Sequence, residues 1–293
     1  MSKLPPERKY TLDEELFSRV LNSIISAYTI GRQPASSSLK AFYVVGQPAA
    51  GKTLLRDYLL SSLGIRNSTI VCNTDDIRTH HPDYEDLLNN PDTLVKAPFL
   101  VNEDSSKLTD KLFQYAINNK YHVLIDATFG SQDLSHYFRQ ISTLLASGYS
   151  ISFNVLAVHP KISYLSNYKR YLRGVTENKN ERIVSKIVHD LSVKNLPGNI
   201  IKLSNFLEEH NNSATNNIFF RDQDGANIQP GDSISSLEDL SKKVQWEYSR
   251  PLTSKEKGDY ILQCKKIQSE MDKSFVPIHI VKQFLEEFKE DLI

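Results

Sequence analysis

The segment Gly46-Gln47-Pro48-Ala49-Ala50-Gly51-Lys52-Thr53 fits the spacing G-x-x-x-x-G-K-[ST], and that spacing has a chemical reason. A loop of small residues running into a helix turns its backbone N–H groups inward. There they meet phosphate oxygens, and the helix N-terminus adds partial positive charge. In such a loop Lys52 supplies a full charge to the β- and γ-phosphates and Thr53 offers a hydroxyl to Mg2+. Gly46 and Gly51 let the backbone turn, and Ala49 and Ala50 leave room. The chemistry expected is binding of ATP or GTP. Where the terminal phosphate goes is the question: water, a protein, a nucleotide or a small metabolite.

Carboxylates follow at chemically useful places. Asp75 and Asp76 lie just past a second apolar stretch, and Asp126 ends a third, HVLID, which resembles a Walker B strand. A carboxylate near the γ-phosphate can accept the proton of an attacking hydroxyl, or reach Mg2+ directly or through water. Each acid also has a plainer role as a helix cap or turn residue, and that role weighs most at Asp76. His80 and His81 are adjacent and have no third spaced ligand, so they read as a polar loop or packing pair. Further on come Lys169, Arg170, Arg173, Lys179, Arg182, Lys186 and Lys194. A cation on a late lid helix can stabilise charge spread over the γ-phosphate, and arginine suits this because it binds two oxygens at once. The pattern alone does not choose among these cations.

The elements that must hold these groups alternate. Residues 11–29 have helical periodicity, with Thr11 and Glu14 spaced as a capping box. Apolar runs at 39–46, 68–74, 122–128, 150–158 and 217–225 read as strands. Helices are expected from Lys52 to Gly64 and over 105–119, 133–147, 160–173 and 180–195, the last ended by the LPGN break. Residues 211–217, NNSATNN, read as a surface loop, and the chain beyond 235 as charged helices broken near Pro251 and Pro277. This predicts an α/β, P-loop kinase-like fold: a mostly parallel central sheet flanked by helices, plus a C-terminal helical extension. Reacting groups in such a sheet gather outside the carboxyl ends of the strands, so all three acids are expected to face the P-loop. The expected division is an N-terminal helix and linker (1–38), a kinase core (39–230) and a helical extension (231–293). The first helix is expected to pack on the core.

Bulk properties narrow the class. The 293 residues are 40% hydrophobic, enough for a sizeable core, and Lys+Arg and Asp+Glu balance at 35 each. A neutral chain gives no reason to expect binding to long nucleic acid. Two cysteines, Cys72 and Cys264, make no disulfide framework. No apolar run reaches the length of a membrane span, and the first residues lack the apolar stretch of a secretory leader. A cytoplasmic protein without membrane contact is expected.

Taken in order, GQPAAGKT, NTDDIRTHHPDYEDL, VLIDATF, GYSISFNVLAVHPKISYLSNYKRY and ERIVSKIVHDLSVKNLP resemble the zeta toxin family over roughly residues 40–225. The resemblance implies a P-loop small-molecule kinase of a bacterial toxin–antitoxin system. It implies phosphorylation of the 3′-hydroxyl of UDP-N-acetylglucosamine, with ATP or GTP and Mg2+ as cofactors and an antitoxin as a protein partner. It casts Lys52 and Thr53 as the P-loop lysine and Mg2+-side hydroxyl, and Asp75 as the base for the sugar hydroxyl. Arg78, Asp126 and Thr128 become acceptor-side residues, His81-Pro82 and Arg170-Tyr171 match family pairs, and Arg182 becomes the lid arginine on the nucleotide phosphates. Departures fall mainly on the acceptor side. Asp126 replaces a family glutamate, about 1.5 Å shorter by one methylene, and Gly130 stands where an arginine is frequent. Asn73 replaces an acid, and Ala49 a P-loop glycine. Two other readings therefore stay open. One is a kinase of another acceptor: a nucleoside, a dinucleotide such as NAD, an antibiotic or a polynucleotide end. The other is a non-catalytic nucleotide-binding interaction module.

Overall fold

The computed structural model describes residues 10–36, 38–90, 92–94, 96–177, 183–221, 227–274 and 276–292. Its strands are β1 (Lys40–Val45), β2 (Thr69–Cys72), β3 (His122–Ala127), β4 (Ser150–Ala157), β5 (Ala214–Arg221) and β6 (Ile228–Ile234). They form one sheet in the order β2-β3-β1-β4-β5-β6. All neighbours are parallel except β6, which runs antiparallel to β5. The fold is thus the expected mostly parallel sheet flanked by helices, with further helices at the C-terminal end.

Strand β1 shows why both faces need cover. Ala41, Tyr43 and Val45 point into the larger core, while Phe42 and Val44 point into the core on the opposite face. Side chains alternate along a strand, so a run apolar at every position is buried on both sides. Helix α2 (Lys52–Ser62) covers the smaller core with Leu55, Leu59 and Leu60. On the larger face lie α1 (Glu14–Thr29), α6 (Asn102–Asn118), α7 (Ser135–Ala146), α9 (Lys186–Glu209) and α10 (Leu237–Ser249). Short helices α3 (Thr74–Arg78), α4 (Tyr84–Asn89) and α5 (Ala97–Leu100) link β2 to α6. A separate core joins α8 (Pro160–Thr176) to α11 (Ser254–Lys273), α12 (Ile278–Glu287) and α13 (Lys289–Leu292). At its centre Tyr164 and Tyr168 both donate to Glu287 Oε2, at 2.6 and 2.5 Å.

Helix α1 packs on the core through Phe17, Val20, Leu21, Ile24 and Ile25, as its periodicity indicates. Its cap differs from the expectation. Asp13, not Thr11, accepts the Leu16 N–H at 2.8 Å. Residues 10–12 are engaged elsewhere: Leu12 N–H donates to Asp104 Oδ2, and the Tyr10 carbonyl meets His81 Nε2 at 3.0 Å. Three other boundaries also differ. The second strand stops at Cys72, because Asn73 turns to cap α3 by accepting the Asp75 N–H. Strand β5 starts at Ala214, inside the expected 211–217 loop, since Asn217 donates to Asn154 Oδ1 and Ser152 Oγ of β4. Helix α9 runs through the expected LPGN break with Pro197 inside it. A proline removes one helical hydrogen bond. Here burial of Leu196, Ile200, Leu203 and Leu207 in the core outweighs that loss.

Candidate active site

The P-loop joins β1 to α2. Gly51 caps α2 with φ 104°, a left-handed value that favours glycine. Ala49 adopts φ 59°, where a Cβ costs roughly 1–2 kcal/mol. The loop therefore imposes at residue 49 a conformation that suits glycine better. Gln47 is fully buried. Its Nε2 donates to the Val158 carbonyl at 2.5 Å and to Ser163 Oγ at 3.1 Å. Pro48 is half-buried, Ala50 is buried, and Thr53 is exposed in the first turn of α2.

Lys52 folds back across the loop. Its ammonium donates to the carbonyls of Gly46 (3.1 Å) and Gln47 (3.4 Å), and lies 3.7 Å from Asp126 Oδ1. Asp126 stands at the end of β3, paired in register with Val44 of β1, which is why strand and loop bring the two together. Its side chain is only 10% exposed. Burial pushes this carboxyl from the ordinary 3.8 up to about 6; Lys52 pulls it down, while Asp75 and Asp76 push it further up. Asn73 Nδ2 donates to its other oxygen at 3.4 Å.

Asp75 is exposed in the first turn of α3 and pairs with Arg78, whose other nitrogen donates to Asn102 Oδ1 at 2.7 Å. Asp76 is bound instead by Arg56 at 2.8 Å. The structure therefore gathers Lys52 and Asp126 directly, with Asp75 and Asp76 near enough to act on Asp126. Thr128 is half-buried, and its Oγ1 accepts the Gly130 N–H at 3.4 Å. Arg182 lies outside the described residues. His81 is buried against Tyr10 and Asp104, and the His80 ring lies tilted beside that of Tyr28, their centroids 6.1 Å apart. Among the described residues no group of three or more His, Cys, Asp or Glu side chains could hold a metal.

Sequence reading missed the groups that fix the loop after β3. Asn195 of α9 donates to the Gly130 carbonyl at 2.8 Å, and Asn199 to the carbonyls of Phe129 and Ser131, each at 2.7 Å. A Cβ placed on Gly130 would lie 2.9 Å from the Cα of Ser192, so α9 leaves no room for a side chain there. Arg221, at the end of β5, also lies beside the P-loop: its Cδ is 3.5 Å from where a side chain on Gly51 would begin. These residues come from distant segments and carry no local spacing that could reveal them.

The family described as Zeta toxin matches residues 27–224, well over half of the chain, including the P-loop, all three acids and β1 to β5. The chain belongs to the zeta toxin family. Toxin zeta of Enterococcus hirae is 28% identical over 246 residues, covering 82% of this chain and 80% of that protein. Toxin PezT of Streptococcus pneumoniae serotype 4 is 26% identical, covering 64% of this chain and 72% of that protein. A solved structure of the PezAT chromosomal toxin–antitoxin system of Streptococcus pneumoniae superposes with a TM-score of 0.70 at 19% identity, over 92% of this chain and 100% of that one. The AvrRxo1-ORF1:-ORF2 complex with ATP gives a TM-score of 0.55 at 13% identity, over 92% and 86%. The fold of this zeta toxin family member is accordingly that of a P-loop kinase.

Proposed function

We propose that the protein is an ATP- or GTP-dependent kinase that transfers a phosphoryl group to a hydroxyl of a small molecule, the 3′-hydroxyl of UDP-N-acetylglucosamine being the first candidate. It acts as the toxin of a toxin–antitoxin pair in the cytoplasm. The observation that carries this reading is the juxtaposition of the P-loop ammonium of Lys52 with the buried carboxylate of Asp126, at 3.7 Å. Membership of the zeta toxin family supports it, as does the description of similar proteins as toxins.

In this reading the loop N–H groups and Lys52 bind the phosphates, Lys52 exchanging its two carbonyl partners for phosphate oxygens. Asp75, oriented by Arg78, accepts the proton of the acceptor hydroxyl. The acceptor oxygen bonds to the γ-phosphorus as its bond to the bridging oxygen breaks, and the nucleoside diphosphate leaves. Asp126 and Thr128 orient the acceptor, and Arg182 closes over the γ-phosphate. The donor set suits Mg2+ bound mainly through nucleotide phosphates and water, with Thr53 as its protein hydroxyl. When bound, this ion would neutralise phosphate charge.

One observation favours a second acceptor. Ser192 fills the space beside Gly130, so no side chain at that position can read the acceptor, and a different hydroxyl compound becomes the alternative substrate. Mass spectrometry decides between them. The protein, ATP and Mg2+ are incubated with UDP-N-acetylglucosamine, nucleosides, NAD and an oligonucleotide, with Lys52→Ala as the blank. A Lys52-dependent gain of one phosphate on the sugar nucleotide is expected, and a gain on another compound instead replaces that acceptor. No transfer to any of them, with wild-type and Lys52→Ala alike, refutes the reading.

A further inference from the structure

Helix α10 lies beyond the residues matched by the family, yet it reaches the phosphate loop. The hydroxyl of Tyr248 donates to Gln47 Oε1 at 2.6 Å. Gln47 is the second residue of the loop, and its side-chain amide is held at both ends. Its nitrogen is bound to Val158, just past β4, and to Ser163 of α8. Ser163 Oγ in turn lies 2.8 Å from His189 Nε2 of α9, and His189 Nδ1 lies 3.2 Å from Asp190 Oδ1. Gln47, Ser163 and His189 are all buried. A polar chain drawn from α8, α9 and α10 thus converges on one loop residue.

The backbone of that residue shapes the site. The Gln47 carbonyl accepts the Ala50 N–H at 3.2 Å and the Lys52 ammonium at 3.4 Å. An amide held at both oxygen and nitrogen restrains the side chain and limits how far its backbone can move. Without the tyrosine hydroxyl, Gln47 Oε1 becomes a buried acceptor that has lost this partner. That penalty falls on the compact loop and is relieved when the loop opens to water. The fraction of molecules with a binding-competent loop falls, and apparent nucleotide affinity falls by the same factor.

We propose that Tyr248 is a positioning residue of the nucleotide site, holding the phosphate loop in its binding-competent form through Gln47. The inference rests on reading the P-loop as a site for a magnesium nucleotide. Calorimetric titration of the full chain with MgATP tests it, using wild type, Tyr248→Phe, Gln47→Ala and the double variant. Tyr248→Phe is expected to bind about five- to ten-fold more weakly. The double variant should bind no more weakly than Gln47→Ala alone, because both act through one contact. In turnover, KM for ATP rises while kcat holds, a split that a purely structural role would not produce. Ser163→Ala, which removes another Gln47 partner, is expected to weaken MgATP binding in the same sense and serves if Gln47→Ala does not fold. Wild-type affinity in Tyr248→Phe, or additive losses in the double variant, overturns the proposal while leaving the nucleotide site intact. A wild-type chain that does not bind MgATP overturns the nucleotide reading itself, and this inference with it.

Discussion

Asp126→Asn is expected to make the protein more stable and less active. Burial holds the Asp126 carboxyl at about 6 in the folded chain against an ordinary 3.8. Each pH unit between folded and unfolded values is worth about 1.4 kcal/mol, so keeping this side chain ionised costs on the order of 3 kcal/mol near neutral pH. The sign follows from the raised value. The stabilisation by the bound proton is complete below about 3.8 and is lost as pH rises through about 6. Asparagine has nearly the same shape and no charge, so the variant escapes that loss. Its advantage is expected to be only about 0.5 kcal/mol at pH 4 and to reach roughly 3 kcal/mol, or about 5–10 °C in Tm, by pH 7.5. Thermal and urea unfolding of the nucleotide-free protein across that range measures it, alongside a transfer assay expected to show loss of rate. A variant no more stable than wild type at pH 7.5, or a gain independent of pH, would refute the argument that ionisation is the cause.

Two other outcomes are expected. Gly130→Ala is destabilised by about 1–3 kcal/mol, since its Cβ would meet Ser192; adding Ser192→Gly restores only part, because the Ser192 Cα itself lies 2.9 Å away. Unfolding midpoints check both, and full stability in Gly130→Ala would show that α9 yields freely. Asp75→Asn keeps MgATP affinity by calorimetry but loses about 100-fold or more in transfer rate; an unchanged rate moves the base to Asp126.

Sequence reading served best where local geometry alone decides. The strands β1, β3 and β4 are apolar runs buried on both faces, and the P-loop motif encodes a turn whose helix start fixes Lys52. It served least where distant segments compete. Pro197 looks like a helix end, but the packing of Leu196 and Ile200 keeps α9 continuous. Strand β6 carries Pro230 and Gly231 and gives a poor strand pattern, yet it pairs along the edge of β5. Asp75 and Asp126 were legible as acids at strand ends. Asn195, Asn199 and Tyr248 were not, because their contacts depend on helices arriving from more than sixty residues away.

The order of synthesis gives the second core another role. Tyr164 and Tyr168 of α8 are covered by α11, α12 and α13, and Tyr248 is translated some two hundred residues after the loop it braces. At roughly 5–20 residues per second, the ribosome exposes the phosphate loop about ten seconds or more before those parts exist. The nascent chain therefore carries the phosphate loop without the Tyr248 contact throughout that interval. Until α10 has been made, the loop lacks the hydrogen bond from Tyr248 to Gln47, so a chain that has reached only α9 holds this loop less firmly than the finished protein does.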